Sequence, residues 1–281
     1  MPHPASTAHA YGRYAVAEPP SRLARLHFHK GEQLREVDHE PKVAVLDQQD
    51  LLAQGIRCST FVPGCRTNPD ALGSCTANAT TSALSNVVDQ QTFFDLIGAK
   101  SYRNPKAAEK WAIGFYAECT HQTGDPATEW PPTDCGSSGP YIIDECERLG
   151  LAGGDRIAAH TPEDIVSLVQ DDGALVGQPF LAAWETPGPD AMIDGDGKVA
   201  TLEAQIAQGV AGGHETYLSA IEKLALTETG AVDPFNTILR FRNSWGPSWG
   251  DHGSYRAHLS TYLILGGSVD IRRLEPAAEA S

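Results

Sequence analysis

The sequence predicts an α+β protein of two lobes, helical in its first half and β in its second. Three observations carry that prediction. Between residues 75 and 170 apolar side chains recur at helical spacing, as in Ala79, Ala83 and Val87 or Trp111 and Phe115. From about residue 175 the texture changes to short strand-like runs such as "QPFLAAW" and "NTILRFRNS". No repeat and no βαβ alternation runs through the chain, so helices and strands are segregated. With 281 residues, the chain is long enough for a sizeable core in one large domain or two lobes.

The elements follow in order. Residues 1 to about 22 are rich in Ala, Pro and Ser and read as irregular. In "HFH", His27 and His29 share one side of a short strand; with no acidic or cysteine partner at ligand spacing, they read as surface residues and not as a metal site. Residues 40 to 74 mix short apolar runs with turn residues and read as a long wrapping segment. One helix is expected over "CTANATTSALSNVVDQQTFF", a second over "PKAAEKWAIGFYAECT", and a third over "SGPYIIDECERLGL", ending near Gly150. In "HTPEDIVSLVQ", Thr161 is an N-cap, Pro162 sits in the first turn and Asp164 stands three residues on, as in a capping box. "MIDGDGKVA" reads as two short runs joined by a turn, because "DGDGK" lacks the rest of a calcium loop. "HETYLSAIEKL", "NTILRFRNS" and "GSYRAHL" read as strands, and "EPAAEAS" as a flexible acidic tail. The expected organisation is an N-terminal extension over 1–40, one domain over 41–270 with lobes at about 70–170 and 171–270, and a tail over 271–281.

Composition excludes some functions. The formal net charge of −15 repels nucleic-acid phosphates and anionic membranes, so neither is an expected partner. No apolar run approaches a membrane span. The first twenty residues lack a cationic stretch followed by an apolar one, which points to a cytoplasmic protein. The six cysteines, Cys58, Cys65, Cys75, Cys119, Cys135 and Cys146, form no C-x-x-C pair; in a reducing compartment most are expected as thiols, while the even count is compatible with disulfides such as a local Cys58–Cys65 bridge. No cofactor and no metal is expected, and the oligomeric state is not legible.

Cys75 follows a Gly-Ser pair and opens a helix. A helix N-terminus favours a thiolate over a thiol, and the thiolate is the attacking form. It needs a base held in one tautomer. His214 follows two glycines at the start of a strand, and Asn243 precedes a Ser-Trp-Gly. An Asn amide orients an imidazole without adding charge. A nucleophile on the helical lobe and a base on the β lobe meet across a cleft.

Together these stretches resemble the papain-like cysteine peptidases. "LGSCTANA" resembles the helix-opening G-S-C-[WT]-A of that family, "GGHE" its G-G-H-A, and "NSWGPSWGDHGSY" its N-S-W-G-x-x-W-G-x-x-G-[YF]. The Thr after the cysteine resembles the bacterial branch. The resemblance spans roughly residues 40 to 265 and implies a papain-like two-lobe fold with the active site in the cleft between a helical N-terminal lobe and an antiparallel β C-terminal lobe. It implies that Cys75 is the nucleophile, that His214 is its imidazolium partner, that Asn243 orients His214, and that Trp245 shields that contact from water. "DCGSSGPY" resembles the segment lining the substrate groove, which gives Gly136 and Ser137 to an extended peptide or amide substrate. Ser74 and Gly213, which flank the nucleophile and the base, complete the expected substrate-binding set.

Two positions depart from the family pattern. Where the family has an oxyanion-binding Gln, six residues before the cysteine, this chain has Pro69; Asn68 is the nearest amide that can replace it. Loss of one oxyanion donor typically costs about a hundred- to a thousandfold in rate. Glu215 stands where the family has Ala, and its carboxylate either raises the pKa of His214 or contacts a substrate amine. The resemblance thus implies a cysteine peptidase or amidase acting through an acyl-thioester. The alternatives are an acyl-transferring ligase or tailoring enzyme, in which an amine resolves the thioester, and a non-catalytic binding protein. The N-terminal segment is much shorter than the inhibitory pro-regions of secreted members, and if any of residues 1–40 lies in the groove, truncating them raises activity.

Overall fold

The protein is seen in a computed structural model, which describes residues 11, 23–25, 33–48, 50–51, 55, 71–152, 156–158 and 161–274. His27, His29, Cys58, Cys65, Asn68, Pro69 and the acidic tail lie outside the described residues. In order, the elements are β1 (Leu23–Arg25), β2 (Val37–Asp38), α1 (Cys75–Val87), α2 (Gln90–Ile97), α3 (Pro105–His121), α4 (Gly139–Arg148), β3 (Arg156–Ala158), α5 (Pro162–Asp172), β4 (Ala174–Leu181), α6 (Val199–Ile206), β5 (Val210–Lys223), β6 (Ile238–Arg242), β7 (Ser254–His258), α7 (Leu259–Leu265) and β8 (Asp270–Arg272). The strands join in the order β1-β3-β8-β4-β5-β6-β7, with β2 also on β5. Every pairing is antiparallel except β1 with β3.

Two cores result. The first packs α1 to α4 together, with Leu175 of β4 and Tyr217 of β5 on its edge. The second lies over the sheet and takes in α5 through Ile165, Val166, Leu168 and Val169. The apolar face of α5 therefore belongs to the β core, although the sequence groups it with the preceding helices.

Helix α1 is buried from Cys75 to Ser85. A helix buried on all sides is a core element, and its residues are small: Ala77, Ala79 and Ala83 let neighbours approach closely. Three of its hydroxyls are satisfied locally: Thr80, Thr81 and Ser85 donate to the carbonyls of Thr76, Ala77 and Ser82. The single helix expected over residues 75–94 is two. Val88 is extended, and the Asp89 carboxylate accepts from the amides of Gln91 and Thr92, starting α2 afresh. The capping box at Thr161 and Asp164 forms as the sequence predicts.

Two helices depart from the strand-rich reading of the second half. In α6 only Leu202 is buried, so little periodicity marks it. In α7 the run "LSTYLIL" is too short and apolar for period alone to separate helix from strand. The "QPFLAAW" strand ends at Leu181, and Ala182–Trp184 form a 3-10 turn.

Candidate active site

Cys75 is the first residue of α1 and is fully buried. Ser74, at the N-cap, does not cap the helix: its hydroxyl donates to Asn78 Oδ1 at 2.7 Å. The positive end of the α1 dipole therefore falls on the thiol. Cys119 and Cys146 are also buried thiols, but burial pushes both far above the ordinary thiol range. Cys135, expected as a thiol, is disulfide-bonded.

The segment around Gly136 and Ser137 is tied to the approach to Cys75. Asp134 accepts the Gly73 amide at 2.8 Å through one oxygen and the Tyr116 hydroxyl at 2.7 Å through the other. The Tyr116 oxygen then accepts the Gly136 amide at 2.8 Å. Gly136 has φ +83°, and Ser137 is fully buried. Burial pushes the Asp134 carboxyl up to about 6, although all of its hydrogen bonds favour the anion.

His214 lies in β5, opposite Gln178 of β4, with no exposed surface. Its Nε2 is 2.8 Å from Asn243 Oδ1, an atom that also accepts the Ser244 amide at 2.8 Å. An amide oxygen accepts and does not donate, so Nε2 carries the hydrogen and Nδ1 is the nitrogen able to take a proton. Trp245 covers the pair, its ring centroid 4.8 Å from that of His214 at 32°. Phe180 stands edge-on to both, 5.1 Å from His214 and 5.2 Å from Trp245. Trp249 stacks edge-on to Trp245 at 5.1 Å and donates its indole hydrogen to the Glu185 carbonyl at 2.9 Å.

Backbone geometry explains the glycines that follow Asn243. Gly246 has φ +77°, and a Cβ there would lie 2.7 Å from Asp47 Oδ2. That close approach is part of a strap in which Gln48 joins both walls. Its backbone amide donates to the Ser244 carbonyl at 3.0 Å, and its side-chain amide to the Leu72 carbonyl at 2.9 Å. Ser244 Oγ donates to Gln48 Oε1.

Glu215 is buried, but strand alternation turns it to the face opposite His214. There it stands in a cross-strand row with Gly177 and Asp270. With Gly139, Ile143, Leu175 and Arg272, these residues line a small pocket. Gly213 pairs with Pro179 in the same sheet.

The structure brings His214, Asn243 and Trp245 together, and α1 with Cys75 packs against β5. Asn68 and Pro69 lie outside the described residues. Sequence reasoning missed Tyr11, Gln48 and Tyr116, none of which stands in a motif, and the part played by Asp134, which opens the "DCGSSGPY" segment. Among the described residues there is no group of His, Cys, Asp and Glu suited to a metal ion, and no helix long and apolar enough to cross a membrane.

This architecture, a helical lobe headed by a cysteine against a β lobe bearing a His-Asn pair, is the papain-like two-lobe fold. The chain is similar over 96% of its length to 97% of xylellain, a cysteine protease from Xylella fastidiosa, with 15% identity and a TM-score of 0.52. It is similar over 98% of its length to 89% of a procathepsin B from Trypanosoma congolense, with 12% identity and a TM-score of 0.56. At that identity the likeness establishes the fold. No protein-family model and no curated protein matches the sequence.

Proposed function

We propose that the protein is a cysteine peptidase or amidase in which Cys75, His214 and Asn243 act together. The observation that carries this reading is the 2.8 Å contact between His214 Nε2 and Asn243 Oδ1 beneath Trp245, on a strand packed against the helix that Cys75 opens. In this reading Cys75 Sγ, its proton passed to His214 Nδ1, attacks a peptide carbonyl. His214 returns the proton to the leaving amine, and the acyl group stays on sulfur as a thioester. Water, deprotonated by His214, then releases the acid and restores the thiol. Asn243 fixes the imidazole, and the rings of Trp245 and Phe180 exclude water from the bond that does so. Gly136 and Ser137, pinned through Asp134 and Tyr116, form one wall of an extended peptide groove.

The disulfide at Cys135 favours an oxidising compartment over the cytoplasm expected from the N-terminus.

Intact mass after brief exposure to a peptidyl epoxide tests the reading, on wild type and Cys75→Ala. One adduct on wild type and none on the variant is expected, because Cys119 and Cys146 are held protonated. No adduct, with every thiol equally slow toward a plain alkylating agent, would show that Cys75 is not activated.

A further inference from the structure

One carboxylate joins two parts of the proposed site that lie far apart in sequence. Asp134 is 1% exposed, and the groups that meet it are donors. The Gly73 amide, two residues before Cys75, donates to Oδ2 at 2.8 Å, and the Tyr116 hydroxyl to Oδ1 at 2.7 Å. The Tyr116 oxygen accepts the Gly136 amide at 2.8 Å, which carries the link into the groove wall. His214 is held elsewhere, by Asn243 and by the rings of Phe180, Trp245 and Tyr11, the last edge-on at 5.8 Å with its hydroxyl on Glu185. Asp134 therefore acts on the spacing of wall and nucleophile and not on the base.

Only the ionised acid fits this place. A carboxylate accepts and does not donate. A protonated Asp134 has a hydrogen to give, and the Tyr116 oxygen that faces it already accepts from Gly136. The tyrosine would then have to turn its own hydrogen into buried surroundings, and one link of the chain fails. Burial works against the ionised form and pushes the carboxyl up to about 6. A buried charge kept against that push, with no cation among its described partners, marks a group retained for its geometry. The titratable groups that face it are Tyr116, held protonated by burial and by Asp134 itself, and Cys75, close enough to bear on Tyr116. Cys135 is in a disulfide, and Glu109, two turns earlier on α3, is taken up by Asn78 and the Asp47 amide.

We propose that Asp134 is a positioning residue: its ionised carboxylate sets the spacing between the loop that leads to Cys75 and the wall at Gly136 and Ser137, so that a proton on it loosens the grip on a peptide without slowing the chemistry at Cys75. The proposal rests on the peptidase reading and adds to it an acid limit that belongs to binding. Above about pH 6 the carboxylate holds both partners; as pH falls through that value the wall comes free.

The test is saturable labelling of Cys75 by the peptidyl epoxide in the full chain, with the half-saturating concentration read apart from the limiting rate. A hydrogen bond to a charged group corresponds to about ten- to a hundredfold in an equilibrium constant. In wild type the half-saturating concentration is expected to rise by about that factor as pH falls through about 6. Asp134→Asn is expected to show the raised value already at neutral pH, with no further rise near pH 6 and with the limiting rate of wild type. Tyr116→Phe, which keeps the bond to Gly73 and releases the Gly136 amide from Tyr116, is expected to raise it as well, and the double variant to add little, because both break one chain. A half-saturating concentration that stays at the wild-type value in Asp134→Asn, or a loss confined to the limiting rate, would overturn the proposal while leaving an activated Cys75 intact. A general loss of stability moves neither the pH profile of binding nor its separation from the rate. Should Asp134→Asn fail to fold, Tyr116→Phe decides alone: a raised half-saturating concentration at an unchanged limiting rate supports the proposal, and an unchanged one overturns it. If wild type is not labelled at Cys75, the peptidase reading falls, and the proposal with it.

Discussion

Helix α1 and strand β5 carry Cys75 and His214, and they are held by opposite means. Behind α1 the support is polar and ionisable. Ser74 bonds to Asn78, Asn78 Nδ2 donates to Glu109 Oε1 at 2.7 Å, and Glu109 Oε2 accepts the Asp47 amide at 3.1 Å. Around His214 the support is aromatic, from Phe180, Trp245 and Trp249. Rings fix a geometry without regard to pH; buried carboxylates fix it only in one protonation state. The difference teaches that the two halves of the site respond to different perturbations.

The largest effect is expected from the ring side. Trp245 is 4% exposed and touches His214, Phe180 and Trp249. Trp245→Ala leaves a cavity among them and admits water to the His214–Asn243 bond. A loss of about 3–5 kcal/mol is expected in urea unfolding, with labelling of Cys75 slowed in parallel. A loss below about 1 kcal/mol, with labelling intact, would show that the rings are not what holds His214.

The polar side is tested by pH. Burial raises the Glu109 carboxyl from 4.5 to about 7, outweighing its bonds to Asn78 and the Asp47 amide. Because the folded-state pKa is the higher one, folding favours the protonated acid. That stabilisation is complete below about pH 4.5 and is lost as pH rises to about 7. At about 1.4 kcal/mol for each unit, the change is about 3 kcal/mol. Asp134, raised from 3.8 to about 6 by burial, acts in the same direction over a lower window. Urea midpoints measured from pH 4.5 to 7 should therefore fall, and Glu109→Gln should flatten the curve. Trp245→Phe should lower the curve and leave its slope. An unchanged slope in Glu109→Gln would remove Glu109 as the source.

The same contrast explains what the sequence showed and what it concealed. His214, Asn243 and Trp245 were legible because the chain around them is locally constrained. Gly246 and Gly250 both have positive φ, and a Cβ on Gly250 would lie 2.3 Å from the Ser254 carbonyl oxygen. Side chains do not fit there, so the glycine pattern is written into the sequence. The Thr161 capping box is local in the same way. Gln48, Glu109, Asp134 and Tyr11 act through partners 18 to 196 positions away, and an ordinary polar residue carries no mark of a distant partner. The break at Val88 was hidden because apolar spacing continues across it, while the Asp89 cap that causes it is a single side chain.

The smallest effect separates the cores from the site. Thr161 accepts the Asp164 amide at 3.1 Å, and Asp164 Oδ2 accepts the Thr161 amide at 3.1 Å, so the first turn of α5 closes on itself. Thr161→Ala removes one of these bonds, at about 1 kcal/mol. Helix α5 packs into the sheet's core through Ile165 and Val169, and the residues named around Cys75, His214 and Asn243 do not include it. The urea midpoint is therefore expected to fall slightly, with epoxide labelling of Cys75 and its pH dependence unchanged. If labelling slowed in step with that small loss, the β lobe would pass strain from α5, which packs on β5 and α1, to His214, and the ring shell would be a flexible mount where the geometry describes a rigid one.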